Sequence, residues 1–189
     1  MTAFSQITFG ARVGINIASQ TTQVNSLDIN LDSDDNVGFT IGGLVNIAIT
    51  DAFSIQPELN YIQKGGEDEF ELLGETTTTE LNLNYIEIPV LAKYAFGPET
   101  FKVFVMAGPS IGYGLNGETT IDDEESEDFD WDEEGANRTD FGFQAGVGVQ
   151  YRNIFLDARY GFGLSDIEDL EDDVDVTNEG INIGIGYMF

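Results

Sequence analysis

Apolar side chains recur at every second position along most of this chain, the period of two that belongs to strands and not the 3.6 of helices. Phe9, Ala11, Val13, Ile15 and Ile17 alternate with Gly10, Arg12, Gly14 and Asn16. Ile86, Ile88, Val90, Ala92, Tyr94 and Phe96 stand against Glu87 and Lys93, and Ile181, Ile183, Ile185, Tyr187 and Phe189 against Asn182, Gly184, Gly186 and Met188. Eight such runs predict strands over roughly 7–18, 37–50, 52–64, 81–96, 100–114, 138–151, 153–164 and 180–189, all within a single domain spanning 1–189. Leu81, Leu83 and Tyr85 break the fourth pattern, since their parity is opposite to that of Ile86 through Phe96. A bulge near Tyr85, or a strand end projecting beyond the apolar zone, accounts for them.

The connections alternate in length. Those around 50–52, 97–100 and 152–153 are tight, whereas 19–36, 65–80, 115–137 and 164–180 are long, so one end of the sheet carries short turns and the other carries loops. The four long connections hold 4, 6, 11 and 8 Asp or Glu, which is 29 of the chain's 35, and no Lys or Arg. Charge is thereby sorted to one end of a body that is close to neutral.

The two faces of the strands differ in a way that orients them. One is Ile, Val, Leu, Phe, Tyr and Ala; the other is mostly Gly, Ser, Asn and Gln with a few charges. A soluble ligand-binding barrel turns its apolar face inward and its charged face to water. A small membrane barrel does the reverse, because glycines and short polar groups fit a narrow lumen and a wide apolar face suits lipid. Lipid also demands closure, since open edges leave backbone groups unpaired. The apolar last strand therefore pairs with the first. Aromatics near both ends of the strands fit interfacial girdles: Phe9, Phe53, Phe96, Phe101, Tyr151, Tyr187 and Phe189 toward the turns, Phe39, Tyr61, Tyr113, Phe141, Phe143, Tyr160 and Phe162 toward the loops. The expected fold is all-β, an eight-stranded antiparallel up-and-down transmembrane barrel with long acidic loops at one end and short turns at the other.

Composition narrows the chemistry. No run is long and apolar enough for a membrane helix. Cysteine and histidine are both absent, which removes thiolate metal sites, disulfides and the most common general base, so the expectation is a protein that is not an enzyme. A formal charge of −28 excludes nucleic acid as a partner. The opening residues MTAFSQ lack a basic and apolar export signal; an exported protein whose signal is absent from this chain is expected.

The segments TFGARVGINIAS, SIQPELNYIQKGG, NYIEIPVLAKYAF, VMAGPSIGYGL and FLDARYGFGLSDI resemble the outer-membrane β-barrel family common in the Bacteroidetes, the porin-family or PorT-like small barrels of the OmpA/OmpX type. The resemblance covers nearly all the strands and none of the loops. It implies the cell outer membrane as location, outer-membrane lipid as surroundings and loops facing outward; it implies no particular activity. Asn182, Gly184, Tyr187 and Phe189 resemble the C-terminal signal read by the barrel assembly machinery.

Arg12, Glu58, Glu87, Lys93, Lys102, Asp157 and Arg159 share the inward parity and are expected to form a lumen ion-pair network, since isolated charges in a narrow core are costly and paired ones are tolerated. A structural plug is the favoured meaning of that network and a very narrow polar pathway the other. The acidic run containing Asp122, Asp123, Glu124, Glu125, Asp128, Asp130 and Asp132 lacks the spacing and turn glycine of a calcium loop. Loose association of Ca²⁺ or Mg²⁺ is expected there, with no defined metal site and no cofactor. The functional expectation is a structural or interaction role: membrane integrity, adhesion, or a subunit of a larger outer-membrane assembly with other surface proteins as partners. The alternatives are a small cation-preferring porin and, behind it, a soluble lipocalin-like binder with its faces reversed.

Overall fold

The computed structural model describes residues 6–24, 29–32, 34–72, 75–121, 125–129, 137–164 and 174–189. Among the described residues ten strands follow in chain order: β1 (Ile7–Val24), β2 (Ile29–Asp32), β3 (Asp34–Ala48), β4 (Phe53–Leu72), β5 (Glu75–Phe96), β6 (Phe101–Ile121), β7 (Glu125–Phe129), β8 (Thr139–Tyr151), β9 (Ile154–Gly163) and β10 (Val174–Met188). Eight of them form the barrel wall in the antiparallel order β1-β3-β4-β5-β6-β8-β9-β10, and β10 returns to pair with β1. The closing ladder runs from Gly10 opposite Met188 to Val24 opposite Val174, and the Phe189 N–H donates to the Phe9 carbonyl at 2.8 Å. The apolar end of the chain is a strand because the start of the chain completes its hydrogen bonding.

The tight turns are built by local chemistry. The Thr50 hydroxyl accepts from the Phe53 N–H at 2.9 Å, the Phe101 N–H donates to the Pro98 carbonyl at 2.9 Å, and the two-residue turn at 152–153 places Arg152 at a φ of 54°. Positive φ matches the right-handed twist that a two-residue hairpin must follow.

At the other end the strands run further than the alternation predicts. β4 and β5 stay paired out to Leu72 and Glu75, β6 continues to Ile121 and adds the short β7 along its far edge, and β1 and β10 remain paired to Val24 and Val174, with β2 alongside. Much of 19–36, 65–80 and 115–137 is therefore sheet. These extensions carry no apolar alternation because they have no lipid to face, yet β-branched threonines such as Thr76–Thr79 still favour extended backbone.

Outward positions are apolar from rim to rim. Val13, Ile15, Ile41, Leu59, Ile88, Val105, Val147, Leu156, Ile183 and Ile185 are all exposed between the aromatic ends of their strands. The rims hold ring pairs: Tyr187 and Phe189 at 5.7 Å and Tyr94 and Phe96 at 6.3 Å on the turn side, Phe39 and Tyr61 at 5.6 Å and Phe143 and Phe162 at 5.8 Å on the loop side. A continuous exposed apolar belt of this extent is the surface of a protein solvated by lipid.

Leu81, Leu83 and Tyr85 hold the inward parity throughout β5 and pack with Ile62 inside the loop end of the barrel. The register does shift at Tyr85, where a bulge was expected, and 81–85 extends past Ile86, the residue level with the rim aromatics Tyr61 and Tyr113. The irregularity lies on the partner strand: Asn84 pairs with Asn116 but Tyr85 with Gly114, which leaves exposed Leu115 as the extra residue of β6.

Candidate functional site

The inner face of the wall is stacked in layers. Nearest the short turns lies an apolar floor of Leu44, Leu91, Phe104, Met106, Phe155 and Met188. The wall makes room for it with glycine: a Cβ on Gly148 would run into the Phe104 ring, and one on Gly186 into the Phe155 ring. An inner face mostly of glycine, short polar groups and a few charges was expected; large apolar side chains share it, Phe104 and Phe155 where Gly148 and Gly186 leave space.

Above the floor four side chains from three strands form one chain of charge. Arg12 donates from Nη2 at 2.5 Å and from Nε at 3.0 Å to Asp157 Oδ1. Arg159 donates from Nη2 to Asp157 Oδ2 at 3.1 Å, and from Nη1 and Nη2 to the two oxygens of Glu58 at 2.7 and 3.0 Å. Glu58 also accepts from Gln56 Nε2 at 2.7 Å and from Asn60 Nδ2 at 3.1 Å. All four charged side chains are at most 4% exposed, and two cations balance two carboxylates. Fork-shaped guanidinium contacts of this kind fix geometry as well as charge. Gly184 belongs to the same layer, because a Cβ there would enter the space of the Arg12 guanidinium.

Closer to the loops Lys64 Nζ bridges Glu87 Oε2 at 2.8 Å and Asp140 Oδ2 at 3.0 Å. Gln144 Nε2 donates to Glu87 Oε1 at 2.5 Å, and the Lys64 ammonium stands 5.2 Å from the centroid of the Tyr85 ring. A polar seam beside this cluster runs from Asn182 Nδ2 to Thr40 Oγ1 at 2.6 Å, and from Asn16 Nδ2 to the Gln63 carbonyl at 2.9 Å.

Arg12, Glu58, Asp157 and Arg159, assigned to the lumen by parity, thus meet in one network. Glu87 belongs to a second cluster, whose other members Lys64 and Asp140 sequence reasoning passed over. Both sit at the ends of the expected runs 52–64 and 138–151, yet each keeps the inward parity of its strand, and that signal was available. Lys93 and Lys102 make no ion pair among the described residues. Lys93 instead donates to Gln56 Oε1 at 3.3 Å and lies 3.9 Å from the centroid of the Phe104 ring, while Lys102 stands half-buried nearer the turns. Of the expected cation-binding acids, Glu125 and Asp128 fall on β7, with their backbones opposite Ile121 and Glu118; Asp122, Asp123, Glu124, Asp130 and Asp132 lie outside the described residues.

Among the described residues the lumen leaves a space on each side of these layers. A chamber of about 50 Å³ on the loop side is lined by Lys64, Glu87, Asp140, Asn60 and Asn182 among others, and an open vestibule of about 740 Å³ on the turn side by Lys93, Lys102, Gln150, Asn46 and Met188 among others. No residue lines both. The floor and the Arg12 to Glu58 chain lie between them, so the interior is filled across its section by side chains, as the width of an eight-stranded barrel allows.

No curated protein sequence matches the chain. Among solved structures, the chain is similar to the outer membrane protein OprG from Pseudomonas aeruginosa, with a TM-score of 0.50 at 14% identity over 98% of this chain and 97% of that one. It is similar to Neisserial surface protein A, with a TM-score of 0.49 at 17% identity over 95% of this chain and 97% of that one. It is also similar to Ail, the attachment invasion locus protein of Yersinia pestis, with a TM-score of 0.44 at 17% identity over 95% of this chain and 98% of that one. At such identities the likeness to OprG is one of fold alone. The profile of the outer membrane protein beta-barrel domain matches residues 4–169. Matched over most of its length and closed into eight antiparallel strands with an apolar outer belt, the chain belongs to the outer membrane protein beta-barrel family.

Proposed function

We propose that this barrel is an occluded membrane scaffold that works through its loop-end surface, in envelope integrity, adhesion or a larger outer-membrane assembly, and that its lumen does not carry solutes. The observation that carries this reading is the double seal inside the wall: the Phe104 and Phe155 floor, and above it the neutral chain Arg12, Asp157, Arg159 and Glu58. Buried charges committed to one another in fixed geometry hold the wall together and offer a passing ion no free partner. The acids instead gather on the long connections, which hold 29 of the 35 and present one sign of charge to basic partners or to cations bridging toward anionic lipid.

The reading is non-enzymatic, supported by the absence of histidine and cysteine and by the pairing of the buried acids. We further place the chain among the PorT-like barrels of the Bacteroidetes, on the five strand segments that resemble them, with the assembly machinery as its partner during insertion through Asn182, Gly184, Tyr187 and Phe189. Loop-bound Ca²⁺ or Mg²⁺ is diffuse in this reading.

The test replaces residues 122–134 by a short Gly-Ser connection and compares cells carrying that variant with cells in which the floor is opened by F104A and F155A together. Loss of attachment or of detergent resistance with the loop variant alone is expected. A phenotype that follows the floor variant and ignores the loop would overturn the reading.

A further inference from the structure

The vestibule at the short-turn end lacks the acidic excess of the long connections: its lining holds two lysines, Lys93 and Lys102, against two acids. Of its lining residues only Asp51 and Glu99 are acidic, and both sit on exposed turns at the rim. Its inner wall presents Lys93, Lys102, Gln150, Asn46, Ser54 and Thr8. The four acid-bearing connections are all at the far end, so an anion entering between the turns does not meet them.

Lys93 is the unusual group. It is 4% exposed, yet no carboxylate stands within ion-pair distance among the described residues. Its neighbours are the Phe104 ring at 3.9 Å, the Phe155 ring at 5.7 Å and the Gln56 Oε1 at 3.3 Å. That oxygen is shared with Asn46 Nδ2 at 3.3 Å, and the Gln56 amide is itself turned to Glu58. Every other buried cation of the wall has carboxylate oxygens within 3.1 Å. An ammonium carries three donors, and burying one with a single neutral acceptor and two ring faces is unfavourable unless another acceptor comes to it. Lys93 lies at the inner end of an open cavity whose volume of about 740 Å³ is that of a small-molecule site.

Lys102 stands on the adjacent strand nearer the mouth. β5 and β6 pair Lys93 with Met106 and Phe96 with Val103, so Lys102 falls about four positions toward the turns, roughly 13 Å along the strand direction. Two ammonium groups therefore line one path, the outer half-buried and the inner buried.

We propose that this vestibule binds a small anionic molecule from the periplasmic side: Lys102 draws in and contacts its carboxylate or phosphate head, and Lys93 supplies the inner donor. The vestibule volume limits the remainder of the ligand to the size of a metabolite. The seal above Lys93 makes this a dead-end pocket, so the site binds and does not conduct.

The test uses the refolded full chain in a nonionic maltoside micelle with methyl-labelled methionine, because Met188 lines the vestibule. Inorganic phosphate and propionate are titrated separately, with chloride at matched ionic strength as the control. A saturable shift of the Met188 methyl with either probe is expected, and the probe that produces it identifies the head group. K102Q is expected to weaken the apparent affinity by about tenfold, the loss of one charge-assisted contact. K93Q is expected to abolish saturation while heat-modifiable gel migration shows the barrel intact; should K93Q fail to fold, K102Q alone decides. Shifts from phosphate and propionate that match chloride, or binding that K102Q leaves unchanged, would overturn the proposal.

Discussion

Arg12 on β1 grips Asp157 on β9 with two nitrogens, although β10 runs between their strands and 145 residues separate them in the chain. The contact spans the seam at which the first and last strands close the wall. Arg159 then carries the link on to Glu58 on β4, so one buried chain ties the seam to the opposite side of the lumen.

Removing one partner of that chain leaves uncompensated charge in a narrow core. D157A is expected to cost about 3–5 kcal/mol, since both Arg12 and Arg159 lose an acceptor. Replacing Arg12 by Met and Asp157 by Leu together is expected to cost clearly less than the two single changes combined. Urea titration of the refolded barrel in micelles, read as a double-mutant cycle, checks both outcomes.

The floor rings predict the opposite kind of sensitivity. F104A opens a void where the ring lay across Gly148 and is expected to destabilise by about 3–5 kcal/mol. G148A adds a Cβ into the same ring contact and is expected to destabilise by about 1–3 kcal/mol. Combining them should be less costly than their sum, because the smaller side chain vacates the space that the new Cβ needs. The same urea titration reads this cycle.

The strands and their closure were legible because lipid outside and a filled lumen inside impose a strict alternation on every membrane-crossing segment. Ile181 through Phe189 shows it to the last residue. The site was legible only in part. Parity alone placed Arg12, Glu58, Asp157 and Arg159 on one face, but parity carries no height along the strand, so it could not separate Glu87 from that group or leave Lys93 and Lys102 outside it. The floor was hidden for another reason. Leu44, Phe104, Met106, Phe155 and Met188 are apolar residues on the inward parity, and their identity becomes meaningful only when glycines on neighbouring strands are seen to receive them. Leu81, Leu83 and Tyr85 looked like a break in pattern because an inward apolar run is indistinguishable from an outward one until a partner strand is known.

Val147 stands mid-strand on β8 and is 57% exposed on the outer face. V147R is expected to destabilise the barrel by about 2–4 kcal/mol in bilayers, the cost of a guanidinium on the lipid side near the midplane. Reversible unfolding in phosphocholine vesicles measures it, and a neutral outcome would mean that the apolar belt is not in lipid.

The terminal strand separates two roles within one motif. Asn182 and Gly184 point inward, Asn182 onto Thr40 and Gly184 beneath the Arg12 guanidinium, whereas Tyr187 and Phe189 are exposed on the outer rim. G184A is therefore expected to destabilise the purified refolded barrel. F189A is expected to leave refolding into micelles intact and, on the proposal that the assembly machinery recognises Tyr187 and Phe189, to slow insertion in cells. Heat-modifiable gel migration of both variants, refolded and from membranes, distinguishes the two.

The occluded lumen is tested most directly by recording current across planar bilayers from the pure refolded monomer, beside the double variant F104A and R159A. With both seals intact, no sustained steps above the bare bilayer are expected, and opening floor and ion chain together is expected to produce them. Sustained, cation-selective current from the unaltered chain would contradict the account and make the acidic loop end the mouth of a narrow channel.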